Sequence, residues 1–365
     1  MARKKPGSTD FMYKPAPRTK QTQIFYDSLS YSAFPHVVQL EGDELLIAFR
    51  QAPRQKGIVR HTHPRSVITV MRSYDQGDSW DKEGAAQVAA GGGQELGLIY
   101  LGNGKVGGAL AAHEVVPVNE GRRSGLRQTH AIEYPFGCVG GLWCWSDNHG
   151  LTWRVENTVL FADGSQCCAP PVQLSDGTLL IPVYGNFSGD DSSAILYRST
   201  DGGASWSMLA VMGKFTPKTR GYAEPAVLEL SPGHLLGLHR VGEPKFPPGT
   251  FWRNESFDSG KTWSAPKPIS VRSGACPRLL KLHDGRLLLT YGRRFEPFGI
   301  YASLSSDDGQ SWGETSWLLR KTPDSDQGYS SSVELADGRI FTACYAKNSR
   351  GITGITGTFW HLPPA

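Results

Sequence analysis

No stretch of this 365-residue sequence approaches the run of about 18 apolar residues that a membrane-spanning helix needs, so a membrane partner is not expected. An amphipathic pattern of several helical turns is also missing, which excludes a helical bundle. Cysteine is scarce: the six are Cys138, Cys144, Cys167, Cys168, Cys276 and Cys344, and no CxxC pair is among them. That spacing gives no metal cage and predicts reduced thiols, with a Cys138–Cys144 bridge the one pairing left open. The formal charge is only +4, and no basic run is interleaved with aromatics, so nucleic acid is not an expected partner either. Residues 1–20 carry Arg3, Lys4, Lys5, Lys14, Arg18 and Lys20 among prolines but no apolar core of a secretory signal. They read as a disordered basic arm, and the chain as cytoplasmic unless a signal has been removed.

What the sequence has in quantity is turn and indole: Gly 43, Pro 24 and Trp 10. One motif recurs five times, as SYDQGDSW from Ser73, SDNHGLTW from Ser146, STDGGASW from Ser199, SFDSGKTW from Ser256 and SSDDGQSW from Ser305. The Asp carboxylate and Ser hydroxyl can accept backbone N–H groups inside a turn, the Gly permits positive φ, and the Trp packs back on the flanking strands. These turns are expected to be structural.

A second repeat interleaves with the first, a strand, a turn and another strand, beginning at Phe34, Glu95, Cys168, Glu224, Cys276 and Tyr329. In the copy GYAEPAVLELSPGHLLGLHR, the strands flank Ser231-Pro232-Gly233, so Glu224 and Arg240 fall at the same end of a hairpin. Six units with four strands each predict an all-β fold, a six-bladed β-propeller occupying residues 21–365. The sixth unit ends on a third strand near Ile355 to Trp360, and Gln21 to Tyr26 is the unassigned strand that should close the ring.

Aligned on their turns, the six units place Phe34, Glu95, Cys168, Glu224, Cys276 and Tyr329 around the central opening. Arg50, Tyr184, Arg240 and Tyr345 share the end of the second strand, with Arg293 one residue later in its unit. Clustered arginines are costly without an anion, and guanidinium forks match a carboxylate. Cys168 and Cys276 read as small buried hydrophobes, and His61 and His63 lie in the loop RHTHPRS.

On these motifs the sequence resembles the sialidase superfamily, the Asp-box or BNR-repeat propellers, over roughly residues 30 to 360. The resemblance implies an exo-acting glycoside hydrolase that removes a terminal, acidic sugar from a glycan, with no cofactor and no metal. It implies Tyr329 as nucleophile, Glu224 as its base, and Arg240 with Arg293 or Arg294 on the substrate carboxylate, Arg293 being preferred. Arg50, Glu95 and Gln166 complete the expected binding residues. The chain departs from the family where Ala33-Phe34-Pro35 replaces the usual Arg-Ile-Pro, and where Tyr345-Ala346 stands in place of a bracing Glu. The family's acid Asp has no counterpart in RQAPRQKGIVRHTHPRS, where Arg50, His61 and His63 are the candidates by position. A lyase or atypical glycosidase acting on uronic-acid glycans, and a non-catalytic glycan-binding propeller, are the alternatives.

Overall fold

The computed structural model of the chain describes residues 12–54, 63–90, 92–115, 136–153, 158–185, 193–214, 221–241, 249–272, 274 and 276–363. Alternating apolar residues make each segment a strand with two usable faces, and these strands form six sheets, antiparallel but for one edge pairing. From the axis outward, blade one is Ser30–Gln39, Leu45–Pro53, Val67–Ser73 and Asp81–Ala90, and blade two is Gly93–Gly102, Lys105–Val115, Phe136–Ser146 and Val159–Asp163. Blade three has an inner strand in two pieces, Ser165–Gln166 and Val172–Gln173, followed by Leu179–Gly185, Ser193–Ser199 and Ser207–Gly213. Blade four is Tyr222–Ser231, His234–Val241, Thr250–Ser256 and Lys267–Arg272. Blade five is Arg278–Lys281, Leu287–Arg293, Gly299–Ser305 and Thr315–Lys321, and blade six opens with Gly328–Glu334, Arg339–Lys347 and Thr353–His361.

Both faces of every blade are apolar, because each packs on a neighbour. A buried cluster fills each interface, from Leu46 against Leu96 between blades one and two to Phe341 against Leu45 between six and one. Lys20–Phe25 pairs antiparallel with Thr353–His361 and completes blade six, as the missing fourth strand requires. The expected disordered arm is corrected over its last residues: Met12–Pro15 is a fifth strand on blade five, running parallel to Thr315–Lys321. Cys144 carries a free thiol 3.6 Å from the Gly108 carbonyl, so the bridge to Cys138 is not formed.

The recurring motif is a turn that satisfies itself. In the fourth copy the buried Ser256 Oγ accepts the Gly260 N–H at 2.9 Å and donates to Asp258 at 2.8 Å. Asp258 in turn accepts both the N–H and the hydroxyl of Thr262, at 2.9 and 2.6 Å. The Trp263 indole closes on the Gly260 carbonyl. Asn148 does the same work through its Oδ1 in the second copy. The indoles also reach the preceding blade, Trp80 lying 6.0 Å from Phe341 and Trp206 5.2 Å from Trp143. Ser256→Ala strands a buried Gly N–H, so it is expected to lower stability by about 1–2 kcal/mol, read from denaturant midpoints at unchanged m-value.

Candidate active site

Three inner strands enter the ring with the same local distortion. Phe34, Glu224 and Tyr329 have φ of +58°, +49° and +48°, the left-handed region that side chains with a Cβ rarely adopt. Each sits in a β-bulge, between Ala33 and His36, Ala223 and Ala226, and Gly328 and Ser331. A bulge of this kind re-aims one side chain, and strain held at equivalent points of three blades marks a place where the scaffold yields to a site. The residue before each bulge pairs with Arg50, Arg240 and Tyr345 respectively.

The bulges bring Glu224 of blade four and Tyr329 of blade six together. The Tyr329 hydroxyl donates to Glu224 Oε1 at 2.6 Å, and Arg240 Nη1 donates to both carboxylate oxygens at 2.9 and 3.0 Å. Glu224 is 4 % exposed, whereas the Arg240 side chain is 31 % exposed, so of the two it is the arginine that solvent reaches. Burial pushes the Glu224 carboxyl up, but Arg240, the Tyr329 hydrogen bond and Arg294 outweigh it and hold it below its ordinary range. Burial, and then the Glu224 charge, drive the Tyr329 phenol well above its ordinary value. At neutral pH the site is therefore a neutral phenol bonded to an ionised carboxylate.

Arg294, and not the preferred Arg293, is the arginine that lies beside Tyr329. Arg293 turns to the N-terminal strand: it donates to the Tyr13 hydroxyl and to the Glu296 carbonyl, and lies over the Tyr13 and Phe295 rings. Arg294 donates to the Tyr345 hydroxyl at 3.0 Å and the Gln327 carbonyl at 3.2 Å, with its guanidinium over the Tyr329 ring. Tyr345, which stands in place of the family's bracing Glu, thus accepts a hydrogen bond from an arginine. Ala33 stands at the position of the absent first arginine, and the next residue, Phe34, lies with its ring edge-on to Tyr329 at 4.8 Å and to Tyr345 at 5.4 Å. Tyr329 consequently belongs to the buried cluster between blades six and one, a packing role the repeat alignment does not suggest.

A second buried polar group centres on an arginine that the sequence reading does not single out. Arg278, two residues beyond Cys276, donates to Glu95 Oε1 at 2.5 Å and to the Cys276 thiol at 2.8 Å. The signal was present: at that offset the other units have His36, Gly97, Pro170, Ala226 and Ser331, and only here does a long cation occur. Glu95 is 1 % exposed and Arg50 is fully buried, so neither presents its charge to solvent as an expected binding residue would. Gln166 is half-buried and joins a chain of contacts, accepting from Tyr184 at 2.5 Å and meeting His113 at 3.1 Å, while Cys168 donates to Tyr184. Burial lifts Cys168 and Cys276 well above the ordinary thiol range, in keeping with small buried hydrophobes. His63 is buried and accepts the Arg65 N–H through Nδ1, a turn-forming contact. His61 lies outside the described residues. No cluster of metal-ligating side chains occurs among the described residues.

The BNR repeat-like domain family matches residues 128–342. A sialidase from Micromonospora viridifaciens is 28 % identical over 199 residues, which are 51 % of this chain and 28 % of that one. The chain therefore spans little more than a quarter of the length of that curated relative. A crystal structure of a protein of unknown function from Dyadobacter fermentans superposes with a TM-score of 0.80 at 23 % identity, covering 95 % of this chain and 100 % of that one. The NanB sialidase from Streptococcus pneumoniae superposes with a TM-score of 0.66 at 14 % identity, over 93 % of this chain and 70 % of that chain. Trypanosoma rangeli sialidase in complex with sialic acid gives 0.62 at 15 % identity, over 95 % and 59 %. These likenesses carry the fold.

Proposed function

Because the chain belongs to the BNR repeat-like domain family and carries the propeller of the sialidase superfamily, we propose that it is a glycoside hydrolase releasing a terminal acidic sugar. The observation that supports this reading is the 2.6 Å hydrogen bond from Tyr329 to the buried, arginine-paired Glu224. Two residues 105 positions apart reach that geometry only because two bulged strands aim them at one point.

In this mechanism Glu224 takes the phenolic proton as Tyr329 Oη attacks the anomeric carbon, and the bond to the leaving oxygen breaks, the leaving group departing as an oxyanion that takes a proton from solvent. Water then attacks the anomeric carbon and gives up a proton to solvent as the glycosyl–tyrosine bond breaks, and Glu224 returns its proton to the phenolate. A neutral phenol suits an anomeric centre that bears a carboxylate, since an anionic nucleophile would be repelled by it. Arg240, bonded to Glu224, and the half-buried Arg294, over the Tyr329 ring, are the two arginines beside the pair and would hold that carboxylate.

A screen of aryl glycosides of sialic acid, its deaminated analogue and uronic acids tests the reading. Release of the aryl group with a saturated sugar supports it. An unsaturated product absorbing in the near ultraviolet would identify a lyase, and binding without turnover a lectin-like propeller. Arg294 is the cleaner arginine to remove, because its hydrogen bonds are to Tyr345 and Gln327 rather than to Glu224. Arg294→Met is expected to weaken a carboxylated ligand by about 2–3 kcal/mol in a calorimetric titration and to leave a neutral analogue unchanged.

A further inference from the structure

Arg294 belongs to blade five by chain and to blade six by contact. It follows the last residue of the strand Leu287–Arg293, so the ladder that holds its neighbours stops short of it. Its guanidinium rests instead on three partners from the next blade: the Gln327 carbonyl at 3.2 Å, the Tyr345 hydroxyl at 3.0 Å and the Tyr329 ring, 5.5 Å to the centroid. Gln327 lies two residues before Tyr329, just ahead of the strand Gly328–Glu334.

Gln327 grips the same stretch of blade five a second time. Its side-chain Nε2 donates to the Arg293 carbonyl at 2.7 Å, so one residue holds the main chain at 293 and the side chain at 294. The Arg293 side chain is occupied elsewhere, on the Tyr13 hydroxyl and the Glu296 carbonyl, which leaves Arg294 as the cation over Tyr329. Gln327 is fully buried, and its Oε1 has no hydrogen-bond partner among the described residues. A buried acceptor left unsatisfied costs stability, and an apolar side chain of the same volume would avoid that cost. The fold alone therefore gives no reason for the amide, whereas the placement of residues 293–294 does.

Resting on the hydrolase reading, we propose that Gln327 is a positioning residue. By tying the end of a blade-five strand to the start of the strand that carries Tyr329, it sets Arg294 where a carboxylate bound beside the nucleophile would meet it. A guanidinium fork engages a carboxylate with two parallel N–H groups, a geometry that tolerates displacement of only about 0.5 Å. Because the anchor is on blade six, Arg294 is fixed relative to Tyr329 rather than to its own sheet, and the two keep their spacing if the blades shift.

Nitrogen-15 NMR of the full chain reads this placement without substrate, through the Arg294 Nε–Hε signal, identified by its loss in Arg294→Met. Held against the Gln327 carbonyl and over the Tyr329 ring, that signal is expected to be ring-shifted and slow to exchange. Gln327→Met keeps the volume and removes the amide. There the signal is expected to move towards that of a solvent-exposed arginine and to exchange roughly tenfold faster. Gln327→Glu, of the same shape but without the amide donor, is read in its place should the methionine chain fail to fold. An Arg294 signal that the variant leaves unmoved overturns the proposal, whether or not any glycoside is cleaved. With an aryl glycoside that the screen shows to be cleaved, Gln327→Met is expected to raise KM roughly tenfold at nearly unchanged kcat, and to leave inhibition by its neutral methyl ester unchanged. In an Arg294→Met background the same change should add nothing. Equal losses on acid and ester, or losses that multiply with Arg294→Met, would mean a packing role and would also overturn the proposal. Failure of the whole glycoside screen, with the NMR displacement present, would instead remove the hydrolase reading.

Discussion

Tyr329→Phe and Glu224→Gln are each expected to lower kcat by about 10²–10⁴-fold, and the double variant to be little worse than either. The phenol is held well above its ordinary value by burial and by the adjacent carboxylate, so it is a nucleophile only when Glu224 accepts its proton. Removing either partner therefore removes the same step. Phenylalanine keeps the ring against Phe34 and under Arg294, which makes it a fair test where alanine would open the cluster between blades six and one. Single-turnover rates on a cleaved aryl glycoside, with melting temperatures to show that folding survives, check the expectation. Effects that multiplied, or turnover persisting in Tyr329→Phe, would mean that the two do not act as a unit.

The stability of the chain should carry a contribution that declines with rising pH. Glu95 has a folded-state value near 8 against an ordinary 4.5, so the folded state binds this proton more tightly than the unfolded chain. The stabilisation is complete below about 4.5 and is lost progressively as pH climbs through about 8, amounting to a few kcal/mol. Glu224 works in the opposite sense: its value is depressed, so its contribution is present at neutral pH and is lost on acidification. Urea midpoints of the parent chain and Glu95→Gln between pH 5 and 9 isolate the first term. The difference between them should shrink steadily in favour of the variant as pH rises, and parallel curves would show that Glu95 is ionised throughout.

Much of the architecture could be read from sequence because it repeats. Five turn motifs and six hairpin units locate the blades, and the three-stranded sixth unit demands the partner that Lys20–Phe25 supplies. The same alignment put Glu224 and Tyr329 on one ring. It failed by one residue at Arg293 and Arg294, since successive strand residues face opposite ways and that strand ends at Arg293, where register no longer assigns a face. Glu95 was legible as a ring residue but not as a buried one, because its partner is on the opposite blade and pairing across an axis leaves no local pattern. Arg278 has no pattern to mark it within its own hairpin for the same reason, since the carboxylate it meets belongs to blade two. Tyr13 on Arg293 belongs to neither repeat and had no signal at all.

Blade six is built from strands at residues 20–25 and 353–361, and this has a consequence for how the protein is made. On the ribosome, the first of these has no partner until more than 300 further residues have followed it. The four-stranded parts of five sheets can form in turn from neighbouring segments, each a local event, but the last, like the added Met12–Pro15 strand of blade five, waits for an encounter over more than 300 residues, the slowest kind of contact to establish. Until then Thr353–His361 and the inner face of blade one are open to whatever else is nearby, so a nascent or truncated chain is most vulnerable to misassembly at this seam.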